Sequence, residues 1–168
     1  MSVTEKNFSK QAKRVACAVF SLLIATMGVA VSAPETASAA TTHTVAVYSG
    51  ADRYSTAAYE ASAAYDAGAK SGTAVLVGGE GDAWADAHSA SSLAGAMRAP
   101  ILITEKDSLS SSASSVISSK GISNVIVIGG TEAVSSDVVE SLESLGCSVE
   151  RISGSDRYDT QAAIYEYG

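Results

Sequence analysis

VIVIGG at residues 125–130 repeats, after 51 positions, the pattern of AVLVGG at residues 74–79. Each stretch is an uninterrupted apolar run, rich in Val and Ile, that ends in a Gly-Gly pair, which is typical of a short strand followed by a sharp turn. Because polar and apolar residues do not alternate within either run, both faces of each strand are predicted to be buried. This pattern favours a parallel sheet that is covered by helices on two sides.

The rest of the sequence alternates between short apolar runs and longer amphipathic segments. Three more strands are predicted, at THTVAVY (42–48), APILIT (99–104) and CSVERIS (147–153). Apolar residues at helical spacing predict four helices, at residues 54–67, 83–97, 108–118 and 135–145. The sequence therefore predicts an α/β fold, doubly wound around a mainly parallel sheet.

Both Gly-Gly pairs follow a predicted strand and precede a predicted helix. In a parallel sheet such loops leave from the same edge, and the carboxyl ends of the strands are the usual place for ligands in open α/β sheets. Glycines at these positions also serve simply to make tight turns with close backbone approach. Both a ligand role and a purely structural role stay open for these loops.

A longer motif occurs twice, as SGADRYSTAA at residues 49–58 and SGSDRYDTQA at residues 153–162, an offset of 104. The shared pattern is S-G-x-D-R-Y-x-T-x-A, and self-similarity at one offset indicates an internal repeat. Residues 41–152 are predicted to be one complete repeat, and residues 153–168 the start of a second, truncated repeat. Without a sheet of their own, residues 153–168 are expected to be loosely held or paired with another molecule.

Residues 1–40 are predicted to be a cleaved secretory signal peptide. They combine a basic start, an uncharged apolar run at residues 15–34 and the small residues ASAA at 37–40. The competing interpretation is a retained membrane anchor, but the strongly apolar part at residues 15–31 is shorter than the roughly 18–20 residues of a usual span. We therefore expect a secreted protein.

After residue 40 the chain has seven Lys or Arg and sixteen Asp or Glu, a formal charge of −9. Such an acidic domain, without a basic cluster, is not expected to bind nucleic acid by neutralising phosphates. Only Cys147 remains in this part of the sequence, so no intramolecular disulfide can form there. Cys147 is interpreted as a small apolar residue at the start of a buried strand.

The repeated motif supplies the first group of candidate ligand-binding residues. Asp52 is placed to cap a helix that begins near Arg53. Arg53 and its counterpart Arg157 offer rigid hydrogen-bonding forks for carboxylates, phosphates or sugar hydroxyls, and Tyr54 and Thr56 follow on the same turn. The alternative is architectural, since charged motif residues at repeat boundaries can hold one repeat against the next.

The segment GGEGDAWADAHS at residues 78–89 supplies the second group. Trp84 could stack on a sugar ring, and the carboxylates of Asp82 and Asp86 could accept hydroxyl hydrogen bonds or hold a hard cation. The structural alternative is that Asp82 caps the following helix, Asp86 stabilises its first turn and Trp84 fills the core.

Five segments in order, SGADRYSTAA, VLVGGEGDAWADAHSASSLA, APILIT, NVIVIGGTEAVS and VERISGSDRYDTQAA, resemble the cell wall binding repeat 2 family of Gram-positive surface proteins. The resemblance covers nearly all of the chain after residue 40. It implies a Toprim-like α/β fold that anchors S-layer and other surface proteins to the wall without covalent attachment. It also implies neighbouring copies of the repeat as partners, packed as a pseudo-trimer, and an anionic secondary wall polysaccharide as ligand.

The sequence predicts a binding module with no catalytic residues, no cofactor and no resident metal. It contains no G-x-S-x-G nucleophile elbow, no H-E-x-x-H metal motif and no P-loop. The alternative hypothesis is a metal-dependent hydrolase or phosphotransferase that uses Glu80, Asp82 and Asp86. The expected location is the cell wall or cell surface, with no membrane contact after the signal peptide has been removed.

Overall fold

The computed structural model describes residues 45–69 and 72–168, so the predicted signal peptide lies outside the described residues. The helices are α1 (Arg53–Asp66), α2 (Trp84–Met97), α3 (Ser111–Lys120), α4 (Ser136–Ser144) and α5 (Arg157–Tyr167). The strands are β1 (Thr73–Gly78), β2 (Ile101–Thr104), β3 (Asn124–Ile128) and β4 (Ser148–Ile152), and a short 3₁₀ helix spans Gly81–Ala83.

The four strands form one parallel sheet in the order β2-β1-β3-β4. Leu76 of β1 lies beside Leu102 of β2 on one side and Val127 of β3 on the other. Every residue of β1 is buried, as expected for a central strand of a parallel sheet that is covered on both faces. The predicted α/β fold with a parallel sheet is confirmed.

Successive residues of the central strands point into two separate cores. On one face, Leu76 and Val127 pack with residues of α1, α3 and α4. On the other face, Val77 and Ile128 pack with residues of α2 and α5. The uninterrupted apolar runs in the sequence therefore reflect helices on both faces of the sheet.

One predicted strand is wrong in the part that the structure describes. Residues 45–48 belong to no strand, and the side chain of Val47 is 82% exposed; residues 42–44 lie outside the described residues. By the offset of 104, residues 45–48 correspond to 149–152, which form most of β4 beside β3. The alternation of Val45 and Val47 resembles a strand, but a strand also needs a neighbour to satisfy its backbone groups, and the position beside β3 is filled by β4.

The expectation of a loosely held second motif is also wrong. Ile164 of α5 is only 3% exposed and packs in the core on the α2 face of the sheet. Tyr167 Oη donates a hydrogen bond of 2.7 Å to the carboxylate of Glu150. Residues 157–167, predicted to belong to a second repeat, thus pack on the sheet formed by β1 to β4.

Cys147 is buried directly before β4, as predicted, and its thiol donates to the carbonyl oxygen of Ile122 over 3.5 Å. Burial raises the pKa of this thiol. Among the residues that the structure describes, no helix has the length and apolar character required to cross a membrane.

Candidate functional site

The first copy of the repeated motif builds its own turn and helix cap. The Asp52 carboxylate accepts a hydrogen bond of 2.7 Å from the backbone N–H of Ser55, and this bond is the main cause of the lowered pKa of Asp52. The hydroxyl of Thr56 accepts from the N–H of Gly50 over 2.9 Å and donates to the Asp52 carbonyl over 2.8 Å. The predicted cap is confirmed, because Asp52 satisfies amides that the first turn of α1 leaves unpaired.

The second copy of the motif has nearly the same local geometry. Asp156 accepts from the N–H groups of Tyr158 and Asp159 over 2.8 and 2.9 Å. The N–H of Gly154 donates to the hydroxyl of Thr160 over 3.0 Å. The Gly, Asp and Thr of the motif therefore form a self-contained turn that leads into a helix.

Arg53 and Tyr54 contact the loop after β1, within their own repeat. Arg53 Nη1 donates to the carbonyl oxygen of Gly79, and Tyr54 Oη donates to Glu80 Oε1 over 3.4 Å. Burial raises the pKa of Tyr54, and the negative charge of Glu80 raises it further. A Cβ atom at Gly79 would lie 2.8 Å from Cε1 of Tyr54, so glycine is needed where the motif packs on this loop.

The second Gly-Gly pair lies against the start of α2. Gly129 has a φ of +101°, and a Cβ atom there would lie 2.6 Å from Oδ2 of Asp86. A left-handed backbone conformation and the close carboxylate both favour glycine at this position. The loops after β1 and β3 thus meet at one edge of the sheet, as predicted.

A cavity of about 540 Å³ opens at this edge. It is bounded by the loops after β1, β2 and β3 and by the second copy of the motif. Its lining residues are Glu80, Gly81, Asp82, Ala83, Asp86, Lys106, Gly130, Thr131, Glu132, Ala133, Gly154, Ser155, Asp156, Arg157 and Thr160. We call this cavity the edge pocket.

The edge pocket is predominantly acidic. Five of its lining residues carry carboxylates, and two, Lys106 and Arg157, carry positive charges. Lys106 Nζ lies 3.0 Å from Oε2 of Glu132, and this contact raises the pKa of Lys106. The backbone N–H of Lys106 also donates to Glu80 over 3.3 Å. Lys106 therefore already has a carboxylate partner in the pocket, although the ion pair is exposed to solvent.

Arg157 is the other cation of the edge pocket. Within residues 45–69 and 72–168, no hydrogen bond or ion pair engages its guanidinium group, which is exposed to solvent. Burial raises the pKa of nearby Asp86, and the positive charge of Arg157 opposes that rise. The edge pocket thus contains an unengaged guanidinium near a partly buried carboxylate.

Of the seven candidate ligand-binding residues, three line the edge pocket: Asp82, Asp86 and Arg157. Arg53 and Tyr54 contact the outside of the same loop, and Thr56 is used in its own turn. The structure brings these residues to the edge of the sheet where the strands end, and whether they bind a ligand stays a prediction.

The structural alternative for Asp82 and Trp84 is wrong. Asp82 lies in the 3₁₀ helix and makes no cap, and no side chain caps the start of α2. Trp84 is 62% exposed rather than part of the core. The inserted 3₁₀ turn is the physical reason, because it moves the start of α2 beyond Asp82 and leaves Trp84 at its first, solvent-facing position.

The alternative hypothesis of a metal-dependent hydrolase or phosphotransferase requires the carboxylates of Glu80, Asp82 and Asp86 to lie close enough to bind one metal ion. In the described part of the chain, no group of three or more His, Cys, Asp or Glu residues is arranged to hold a metal ion. Both carboxylate oxygens of Glu80 are used, by Tyr54 and by the backbone of Lys106. The geometry therefore does not support this hypothesis.

Lys106, Glu132 and Ser155 also line the edge pocket, although the sequence pattern did not predict them as site residues. Lys106 follows β2 and Glu132 follows β3, so both leave from carboxyl ends of parallel strands. The same rule that placed the Gly-Gly loops would have identified them. Ser155 lies inside the second motif, and it reaches the edge pocket because α5 packs on the sheet, a tertiary contact that no local sequence pattern predicts.

The Cell wall binding domain 2 (CWB2) family matches residues 48–139 of the chain. The curated relative N-acetylmuramoyl-L-alanine amidase LytC from Bacillus subtilis (strain 168) is 47% identical over 92 residues, which are 55% of this chain and 18% of LytC. The Amidase enhancer of the same organism is 38% identical over 77 residues, which are 46% of this chain and 11% of that relative. Because the chain spans less than a fifth of either protein, their activities are not assigned to it.

Two solved structures share the fold. Cwp6 from Clostridium difficile has a TM-score of 0.64 at 30% identity, over 77% of this chain and 22% of its own. Cwp8 from the same organism has a TM-score of 0.59 at 32% identity, over 70% of this chain and 20% of its own. These likenesses support a cell wall binding role and an association with the cell wall or surface. The chain belongs to the Cell wall binding domain 2 family.

Proposed function

We propose that the protein is a non-catalytic module that anchors an exported protein to an anionic wall polysaccharide of a Gram-positive bacterium, and that the polymer binds in the edge pocket. The observation that carries this proposal is the unengaged guanidinium of Arg157 at a cavity formed by three strand ends and the second motif. Membership of a cell wall binding family supports a wall polymer as ligand, and the position of Arg157 supports the edge pocket as its binding place.

The size and composition of the edge pocket support a sugar ligand. Its volume of about 540 Å³ is within the roughly 300–1,000 Å³ of typical ligand sites. The exposed carboxylate of Asp82 can accept hydrogen bonds from sugar hydroxyls, and the hydroxyl of Thr131 can donate or accept them. The hydroxyl of Ser155 donates to the carboxylate of Asp159, so it can offer a sugar only an acceptor. The exposed ring of Trp84, on the neighbouring first turn of α2, offers a stacking surface beside the pocket.

Charge limits how an anionic polymer can bind. The acidic domain repels it at long range, so attraction must come from local contacts or from bridging cations. Arg157 is suited to the local contact because it is unengaged, whereas Lys106 is paired with Glu132. A bridging cation would instead use the exposed carboxylates at the pocket rim together with the acidic groups of the polymer.

A pull-down on purified cell walls tests the proposal, with Arg157→Gln compared to wild type. Loss of one charge-assisted hydrogen bond is expected to weaken binding by about 1.5–3 kcal/mol, or roughly 10- to 150-fold. Arg98→Gln is the matched control, because it removes the same charge from an exposed residue at the end of α2, outside the edge pocket. This control should bind like wild type.

Two results would contradict the proposal. Equal binding by Arg157→Gln and Arg98→Gln in the presence of a chelator, where no cation can bridge, would show that the polymer does not bind in the edge pocket. Failure of the folded wild-type chain to bind walls, with and without added Ca²⁺, would reject the anchoring role itself. Loss of wild-type binding in a chelator, restored by Ca²⁺, would instead support the bridged mode of binding.

A further inference from the structure

Arg151 of β4 is a partly buried cation that lies outside the edge pocket. It follows Val149 by two residues, so its side chain points to the same face of the sheet, towards the start of α4. Burial lowers the pKa of its guanidinium group. As far as the structure describes the chain, no carboxylate forms an ion pair with Arg151. Its hydrogen bonds go to backbone carbonyl oxygens instead.

The guanidinium of Arg151 connects the two ends of one loop. Its Nη1 donates over 2.7 Å to the carbonyl oxygen of Gly129, the first residue after β3. Its Nη2 donates over 3.5 Å to the carbonyl oxygen of Ser135, directly before α4. The planar fork of an arginine suits two acceptors at fixed positions, and a lysine ammonium lacks it. One side chain therefore contacts both ends of loop 129–135.

The middle of loop 129–135 forms one wall of the edge pocket. It contributes four lining residues, Gly130, Thr131, Glu132 and Ala133. The same two ends also have backbone attachments. The N–H of Gly129 donates to the Ile152 carbonyl over 2.9 Å, and the N–H of Ser135 donates to the Lys106 carbonyl over 2.8 Å. Arg151 thus adds charged donors at the two points where the loop is attached to its neighbours.

We propose that Arg151 is a positioning residue for the edge pocket, because its guanidinium fixes loop 129–135 in the conformation that presents Thr131 and Glu132 to the polymer. The inference rests on the proposed function, since it concerns the same pocket. Arg151 does not line the pocket and acts only through the loop. Its role differs from that of Arg157, which offers its guanidinium to the polymer directly.

The energetics of a partly buried charge favour a local role for Arg151. Removal from water disfavours the guanidinium, and so does the positive end of the α4 dipole, which begins next to it. The hydrogen bonds to the two carbonyls offset these costs. The net contribution of Arg151 to folding is therefore small, whereas the loop depends on the two hydrogen bonds directly. Methionine, which is unbranched and apolar, would remove both the costs and the bonds.

The first measurement is hydrogen exchange of the full chain without a ligand. In Arg151→Met the N–H of Ser135 should exchange about tenfold or more faster than in wild type, because opening of the loop no longer breaks a charge-assisted hydrogen bond. The N–H of Gly79, which donates to the Thr104 carbonyl in the loop after β1, should keep its rate. Arg151→Lys should give an intermediate rate at Ser135, and it provides the test if the Met variant does not fold.

Val149→Ala is the matched control, because Val149 lies on the same strand and the same face of the sheet. It should lower the melting temperature, since it removes apolar contacts with the core. The exchange of the Ser135 N–H through local opening of the loop should stay at the wild-type rate. This variant therefore separates a general loss of stability from a loss of loop positioning.

The second measurement is a titration on purified walls, at a temperature where every variant is folded and under conditions in which the wild-type chain binds. Arg151→Met should bind about threefold or more weakly than wild type, because the loop contributes part of the contacts in the pocket. Arg151→Lys should lose less affinity, and Val149→Ala should bind like wild type. A purely structural role of Arg151 would lower the melting temperature without this loss of affinity.

Three results would overturn the inference, and they can be told apart. An unchanged exchange rate at Ser135 in both Arg151 variants would show that Arg151 does not hold the loop. Faster exchange with wild-type affinity, while Arg157→Gln binds weakly, would show that the pocket does not depend on the loop. Wild-type affinity of Arg157→Gln in the presence of a chelator would overturn the proposed function, and the inference would fail with it.

Discussion

In the first copy of the repeated motif, Arg53 donates to the carbonyl of Gly79, whereas in the second copy Arg157 is unengaged at the rim of the edge pocket. The turn and the cap are the same in both copies, because Asp52 and Asp156 each accept from the first-turn amides. The residues of the motif are therefore sufficient to form its turn and helix cap, whereas the surrounding structure determines which groups its arginine contacts.

The largest expected difference between the two copies is in the stability lost when corresponding residues of α5 and α1 are substituted. Ile164→Ala should lower the free energy of unfolding by about 2–4 kcal/mol, because it leaves a cavity in the core between α2 and α5. Glu60→Ala, at the corresponding exposed position of α1, should change it by less than about 0.5 kcal/mol. Urea unfolding of both variants provides the measurement. Similar losses in the two variants would show that α5 is not held by the contact described here.

The two Gly-Gly pairs provide the next comparison. Gly79→Ala should cost about 1–3 kcal/mol, because its Cβ atom would lie 2.6 Å from Cγ2 of Ile103 and 2.8 Å from Cε1 of Tyr54. Gly130→Ala is the matched control at the equivalent position of the second pair, where an added Cβ atom meets nothing within 4 Å. Thermal unfolding should separate the two variants clearly. An unchanged melting temperature for Gly79→Ala would mean that the first motif does not pack on this loop.

Much of this arrangement follows from the sequence. The uninterrupted runs at β1 and β3 predicted a buried parallel sheet, and Asp52 of the first motif predicted a helix cap. Residues 45–48 were wrongly predicted to form a strand. The alternation of Val45 and Val47 is typical of a strand, but a strand also needs a neighbouring strand, which a local pattern does not reveal. The sequence did not predict whether Trp84 is buried or exposed, because its orientation depends on where α2 begins. The 3₁₀ turn before α2 determines that position. The edge pocket was only partly predictable, since Ser155 and Arg157 enter it through tertiary packing of α5.

Substitutions of the two arginines should change the free energy of unfolding by different amounts. Arg53→Gln removes a hydrogen bond from a charged donor to the Gly79 carbonyl, and it should lower the free energy of unfolding by about 1 kcal/mol. Arg157→Gln should leave the free energy of unfolding within about 0.5 kcal/mol of wild type. Denaturant unfolding of the two variants in parallel is the measurement, and an equal loss in both would contradict the distinction between the copies.

The smallest expected effect concerns the carboxylate beside Arg157. Burial raises the pKa of Asp86 above its ordinary value near 3.8. The folded state therefore binds a proton more readily than the unfolded state, so Asp86 favours folding most at low pH and loses this contribution as pH rises through its raised pKa. Asp86→Asn should slightly raise the melting temperature at pH 7 and reduce the loss of stability above pH 3.8.

Asp82→Asn is the control for the loss of a carboxylate from the same pocket, because Asp82 is exposed. At pH 7 its melting temperature should stay close to that of wild type. A lower melting temperature for Asp86→Asn at pH 7 would show instead that attraction to Arg157 outweighs the cost of burying the Asp86 carboxylate.

The central claim is that the two copies of one motif have separate roles, with the first supporting the fold and the second contributing to the wall-binding pocket. The most direct test is a binding titration on purified walls with Arg53→Gln and Arg157→Gln, at a temperature where both variants are fully folded. We predict that Arg53→Gln binds like wild type and that Arg157→Gln binds roughly tenfold or more weakly. Wild-type affinity for Arg157→Gln, or an equal loss in both variants, would contradict the account.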